Sequence, residues 1–134
     1  MCGFIFQKNL SKVIDHNKFN FFLNEMSWRG IDSQNSCFLK NNTVALGHCR
    51  LAILDPSEQA NQPMISKDNR YYILLNGEIY NHLEIRKKYD LKCCTNSDTE
   101  TVLAAYIKLG KDVFSILDGM FAIVIYDTFT SRWV

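Results

Sequence analysis

The spacing of apolar positions changes several times along the chain, and each change marks an element. Residues 3 to 7 are apolar and aromatic enough for a buried strand. Phe19, Phe22, Leu23 and Met26 then recur at i, i+3, i+4 and i+7, which predicts a helix over residues 17 to 28 with one face against a core. Two strand-like runs between Ser36 and Leu46 flank Asn41-Asn42, a pair that tolerates the positive φ of a tight hairpin turn. The second run continues through Ala45 and Gly47 toward Arg50 and Ile53. Residues 55 to 68 show no period and contain both prolines, so they read as a long surface loop of the sort that carries function.

Tyr71 to Leu75 is continuously apolar and β-prone, and the strand it predicts stops at Asn76-Gly77. Asn81 can cap a short helix over residues 82 to 89. Ser97-Asp98-Thr99-Glu100 is a capping box, in which Ser at the cap and Glu three residues on satisfy free backbone N–H groups at a helix start. That helix runs to about Lys108 with Gly110 as its stop, and Val102, Leu103, Tyr106 and Ile107 give it a buried face. Residues 120 to 127 read as a strand, 128 to 131 as a turn, and 132 to 134 as the start of another strand. Strands and helices in this order, with hairpins among them, predict an α/β or α+β layered domain.

A chain of 134 residues, 47% apolar and 22% charged, fits one globular domain, with no internal repeat and no low-complexity segment. Fifteen Lys and Arg against fourteen Asp and Glu leave a formal charge of +1 with no basic stripe, which argues against nucleic acid or an anionic membrane as the main partner. Small polar substrates stay open. No apolar run approaches the ~20 residues of a spanning helix. Met1 to Phe6 lacks the basic region and cleavage site of a signal peptide, so the cytoplasm is the expected location. Five cysteines, an odd number without scaffold spacing, fit a reducing compartment.

Cys2 is the first candidate for chemistry. Removal of Met1 would place a thiol and a free α-amine on one residue, and an amine titrating near ~7.7–8.0 is partly neutral at pH 7 and can take the thiol proton. Taken alone, Cys2 reads more readily as an apolar residue that starts a strand. Arg50, Asn76-Gly77-Glu78 and Asp98 change that, because each is placed where a strand or helix ends. Arg50 suits a carboxylate, Glu78 and Asp98 suit an ammonium, and together they would read an amino-acid zwitterion. A carboxamide such as Asn76 beside the Gly77 N–H can hold the oxyanion of a tetrahedral intermediate. Each of these residues also has a plain reading: Asn-Gly as a turn, Arg50 and Glu78 as surface charges, and Asp98 as first-turn helix charge. Cys93-Cys94 is too closely spaced for a zinc pair, and His16, His48 and His82 are dispersed and read as structural or exposed. Lys87-Lys88 reads as a solvated helix face, and no glycine-rich nucleotide motif is present, so no ATP site is visible.

With Met1-Cys2-Gly3, Arg29-Gly30 and Asp32, His48-Cys49-Arg50-Leu51-Ala52-Ile53, Gln62-Pro63, Asn76-Gly77-Glu78-Ile79-Tyr80-Asn81, Ser97-Asp98-Thr99-Glu100 and Leu117-Asp118-Gly119-Met120-Phe121-Ala122 in this order, the sequence resembles the class II, N-terminal-nucleophile glutamine amidotransferase domain. The asparagine synthetase branch is the nearest in its Asn-Gly-Glu-Ile-Tyr-Asn run. The resemblance implies an α+β fold, the αββα sandwich of two antiparallel sheets of the N-terminal-nucleophile hydrolases. It implies Cys2 as nucleophile with its own α-amine as base, Arg50 on the glutamine α-carboxylate, Glu78 and Asp98 on its α-amino group, and Asn76 with the Gly77 N–H as the oxyanion hole. Glutamine would be hydrolysed to glutamate and ammonia through a thioester, with no metal or organic cofactor in this chain. Ammonia would pass to a synthetase domain or subunit, in cis or in trans, where ATP and magnesium belong. Aspartate is the first acceptor implied, and a homodimer is left open.

Two departures accompany the match. Trp28 and Ile31 stand where the family has His and Pro, and the family continues past residue 127 with further strands that close the sandwich. Residues 1–134 are therefore expected to be a partial glutamine amidotransferase type 2 domain. The alternative is a truncated, catalytically inactive remnant that binds a partner or glutamine.

Overall fold

A computed structural model describes residues 2–134, which form seven strands and three helices. In chain order these are β1 (Gly3–Lys8), α1 (His16–Glu25), β2 (Ser33–Leu39), β3 (Val44–Arg50), β4 (Met64–Ile65), β5 (Tyr71–Ile79), α2 (His82–Lys88), α3 (Asp98–Leu109), β6 (Gly119–Asp127) and β7 (Arg132–Trp133). The strands build two antiparallel sheets, ordered β1-β3-β2 and β4-β5-β6-β7.

Alternation of side chains along the strands stacks these sheets into layers. Ala45 on β3, with Ile5 and Phe38, packs on Phe19 of α1. Val44 and Leu46 point the other way and meet Leu74 and Tyr126 of the second sheet. The far face of that sheet, Ile73, Leu75, Ile79 and Ile125, is covered by Ile85 of α2 and by Val102, Leu103 and Ala105 of α3. The order helix, sheet, sheet, helices is the αββα sandwich of the α+β class. Each fully buried aliphatic side chain in these three clusters contributes about 2 kcal/mol of transfer free energy.

Several local expectations are corrected. Helix α1 stops at Glu25 and gives way to a 3-10 turn over Ser27–Arg29. Of its predicted stripe Phe19 and Leu23 are buried, whereas Phe22 is 49% exposed, because the helix meets the sheet along one narrow row. Residues 55–68 are not a surface loop: Asp55, Ala60, Gln62, Met64 and Ser66 are buried, and β4 lies among them. Strand β5 does not stop at Asn76-Gly77 but runs on to Ile79, in unbroken register with β6 from Tyr71↔Asp127 to Ile79↔Gly119. Pairing with a neighbouring strand overrides the local turn preference of Asn-Gly.

Asn81 precedes α2 without capping it. Its side chain accepts from the Asp118 N–H at 3.0 Å and donates to the Ile116 carbonyl at 2.9 Å, tying α2 to the approach to β6. At α3, Ser97 accepts from the Thr99 N–H as a cap, but Glu100 does not return to Ser97. It accepts instead from the Cys94 and Thr95 N–H groups at 2.8 and 2.7 Å, folding residues 94–97 against the helix start. Gly110, at φ +62°, ends α3 as expected, although Ile107 is 52% exposed.

His48 is fully buried between the sheets, and its Nε2 lies 3.1 Å from the Leu75 carbonyl. A carbonyl only accepts, so Nε2 carries the ring proton and the buried, unpartnered Nδ1 is bare. Burial pushes the His48 pKa down to about 4. The unfolded chain, with histidine near ~6.5, therefore binds this proton first as pH falls, so the stabilisation is complete above ~6.5 and lost between ~6.5 and about 4, by roughly 3 kcal/mol. Urea midpoints at pH 7.5 and 4.5 should show this loss, and His48→Gln, which keeps a donor for Leu75, should flatten it.

Candidate active site

The same alternation decides which side chains meet between the sheets. On β3, His48 and Arg50 continue the row begun by Val44 and Leu46, and Phe4 of β1 shares that face, as does Cys2 two residues earlier. On β5, Asn76 and Glu78 continue the row of Tyr72 and Leu74 that faces the first sheet. Cys2, Arg50, Asn76, Gly77, Glu78 and Asp98 all line one cavity of about 360 Å³. The six residues advanced from the sequence are thus brought together by two sheets and the first residue of α3.

Cys2 is held from two sides. The Leu51 N–H donates to its sulfur at 3.3 Å, and Arg29 Nε donates to its carbonyl at 2.9 Å. Asp32, three residues after Arg29, accepts from the Ala52 N–H at 2.7 Å, so the segment of residues 29–32 clamps both Cys2 and the chain that follows β3. Trp28 and Ile31, which stand where the family has His and Pro, are 73% and 79% exposed, while Arg29 and Asp32 make the contacts. Met1 lies outside the described residues, and so does its removal.

Arg50 is buried with its guanidinium turned into residues 55–61. Nη1 donates to the Ser57 carbonyl at 2.9 Å and to Asn61 Oδ1 at 3.0 Å, and Nη2 donates to the Asp55 carbonyl. A guanidinium has five N–H donors, so these three bonds leave two for a ligand. Asp98 is buried at the start of α3 and accepts from the Ile79 N–H at 3.0 Å and from the Thr99 N–H at 2.8 Å. Glu78 is exposed at the cavity rim. Arg50, with Glu78 and Asp98 on the same cavity, suits the two ends of a zwitterion.

The backbone of β5 supplies the remaining donor. In an antiparallel ladder alternate residues turn their N–H and C=O toward one neighbour. The Leu75 and Ile79 N–H groups turn away from β6, to Gln62 Oε1 at 2.6 Å and to Asp98 Oδ2 at 3.0 Å. Gly77 lies between them on the same edge, so its N–H also turns away from β6, and no side chain among the described residues receives it. Asn76, beside it, has a buried carboxamide oxygen without a partner. No contact within the described chain holds that amide in either of its two orientations, and a ligand oxyanion would select the one presenting Nδ2.

Sequence reasoning gave no role to Asp55 or Gln62, which also line the cavity. Asp55 accepts from the Ser57 N–H at 2.8 Å and the Asn96 N–H at 2.7 Å, and hydrogen bonds from Ser57 and then Asn96 hold its carboxyl below the usual range. It links the wall carrying Arg50 to the residues just before Asp98. The signal available was the Gln62-Pro63 match and the lone Asp55-Pro56 pair, both inside a stretch without period. A second cavity, of about 480 Å³ between α3, β4 and residues 90–95, holds none of the six residues. Among the described residues no three His, Cys, Asp or Glu side chains are grouped to hold a metal ion, and no helix is long and apolar enough to cross a membrane.

Comparison with known proteins places this geometry in context. The family model described as a glutamine amidotransferase domain matches residues 1–134. The chain is 37% identical to asparagine synthetase (glutamine-hydrolyzing) 1 of Bacillus subtilis over 95% of its own length and 21% of that protein. It is 40% identical to asparagine synthetase (glutamine-hydrolyzing) of Asparagus officinalis over 75% of its length and 16% of that protein. The chain thus spans about a fifth or less of the length of these two relatives.

Proposed function

The chain belongs to the glutamine amidotransferase domain family, and from that premise we propose that it hydrolyses glutamine to glutamate and ammonia through Cys2. Residues 1–134 act as the glutaminase domain. Two free N–H donors of Arg50 take the glutamine α-carboxylate, and Glu78 with Asp98 takes the α-ammonium, which directs the side-chain amide toward Cys2. The sulfur attacks the amide carbon, and its proton passes to the α-amine that Met1 removal exposes. Negative charge on the amide oxygen is met by Asn76 Nδ2 and the Gly77 N–H. The C–N bond then breaks, the Cys2 α-ammonium formed in the first step gives its proton to the departing nitrogen, and ammonia leaves. Water attacks the remaining thioester and releases glutamate.

The observation that carries this reading is a thiol sharing a cavity with an unpaired strand N–H and an unpaired carboxamide. Ammonia made here would serve a synthetase domain or subunit, in cis or in trans, that uses ATP and magnesium, with aspartate as acceptor and asparagine as product. The test uses chain whose loss of Met1 is verified by intact mass. Equal release of glutamate and ammonia from glutamine is expected, together with one adduct at Cys2 from an electrophilic glutamine analogue. Folded, processed protein that shows neither result would favour the inactive binding module instead.

Arg50→Lys should raise KM for glutamine by about 10- to 100-fold, since a point charge replaces a planar fork worth ~1.5–3 kcal/mol on a carboxylate. The value of kcat should stay within a few fold, because the carboxylate contact is made equally in ground and transition states. Steady-state kinetics on purified protein checks the split.

A further inference from the structure

We propose that Gln62 is a positioning residue for the oxyanion donors, acting as a one-residue substitute for the strand that β5 lacks at its open edge. The proposal rests on the glutaminase reading above. Strand β4 begins only at Met64, pairing Met64↔Ile73 and Ile65↔Tyr72, and extending that register back by two residues would put residue 62 opposite Leu75. The Gln62 side chain makes the pairing that a backbone would have made there. Its Oε1 accepts from the Leu75 N–H at 2.6 Å, and its Nε2 donates to the Leu75 carbonyl at 3.2 Å. A primary carboxamide presents the same donor and acceptor as a peptide group, so no shorter or singly polar side chain closes both bonds. Nε2 also lies 3.2 Å from Thr99 Oγ1, which ties this strand edge to the helix start that carries Asp98.

Gln62 is 5% exposed, so these bonds are made out of water. Gly77 lies two residues beyond Leu75 on the same edge, and its N–H direction depends on how the Leu75 peptide is held. Asp98 fixes the next odd-numbered peptide, at Ile79. Gln62 and Asp98 therefore brace the strand on either side of the one peptide N–H left for the oxyanion. A shift of about 1 Å in such a donor is enough to cost roughly 10²-fold in rate.

Gln62→Leu removes both bonds, and Gln62→Glu keeps the acceptor while losing the donor. Both are expected to lower kcat about 10- to 100-fold with KM for glutamine within about threefold. A second readout separates positioning from general loosening. Glutamate γ-semialdehyde adds the Cys2 sulfur to its aldehyde carbon, and the hemithioacetal oxygen takes the oxyanion position, whereas glutamate makes no such adduct. The affinity of the semialdehyde relative to glutamate should fall in proportion to kcat. If Gln62→Leu does not fold, Gln62→Glu carries the measurement. Unchanged kcat in a folded variant, or equal loss of affinity for both ligands, overturns the positioning role and leaves glutamine hydrolysis standing. A processed wild-type chain that releases no glutamate overturns both.

Discussion

Cys2→Ala should abolish glutamate release, by about 10⁴-fold or more, while leaving glutamine bound. Every contact assigned to the substrate backbone comes from Arg50, Glu78 and Asp98, none of which touches the Cys2 sulfur. What the substitution removes is the atom proposed to form the thioester, and the Leu51 N–H that met it then faces the cavity. Calorimetric titration with glutamine should give an affinity within a few fold of the wild type, and a coupled glutamate assay should give no turnover above background. Residual turnover approaching wild type would exclude Cys2 as nucleophile. Loss of both binding and turnover would mean that the thiol organises the cavity rather than reacting in it.

Gly77→Ala should destabilise the protein by about 3–5 kcal/mol, the sum of backbone strain and overpacking, and so remove much of a total near ~5–15 kcal/mol. Gly77 has φ +145°, a region that residues with a Cβ do not enter comfortably. A Cβ there would run into the Met120 carbonyl oxygen and lie 2.6 Å from Phe121 Cα, and the β6 backbone, paired with β5 through residues 120 and 121, cannot swing aside. The contrast is Gly110, at φ +62° with nothing near its Cβ direction, where alanine should cost about 1 kcal/mol. Urea midpoints of the two variants, measured side by side, check the ranking. Equal midpoints would show that β6 yields at residues 120 and 121.

The layers were legible because they follow from period: Phe19 with Leu23, the alternation of Val44 and Leu46, and the apolar run 71–75 each name a buried face. The six candidate residues were legible as a set because short motifs keep their order. What stayed hidden was decided by distant partners. Asn76-Gly77 has the composition of a turn, and only the ladder to β6 makes it strand. Residues 55–68 have no period because their burial comes from single side chains, Asp55 and Gln62, plugging backbone groups of other elements rather than from a repeating face. Glu100 has the spacing of a capping box, yet the nearby Cys94 and Thr95 N–H groups take its carboxylate. Local spacing names a candidate bond, and tertiary competition chooses the partner.

The bond from Leu51 to the Cys2 sulfur spans 49 residues, and the cavity around it closes only with Ala122. At a synthesis rate of about 5–20 residues per second, the thiol near the front of the chain waits several seconds for its last wall. Closing contacts this distant is entropically slow, so the site is assembled late relative to the local hairpin of β2 and β3. A ribosome-bound fragment ending before β6 would carry Cys2 without the finished cavity that it lines. Completion of this cavity is therefore a late checkpoint on the whole fold, reached after most of the secondary structure is in place.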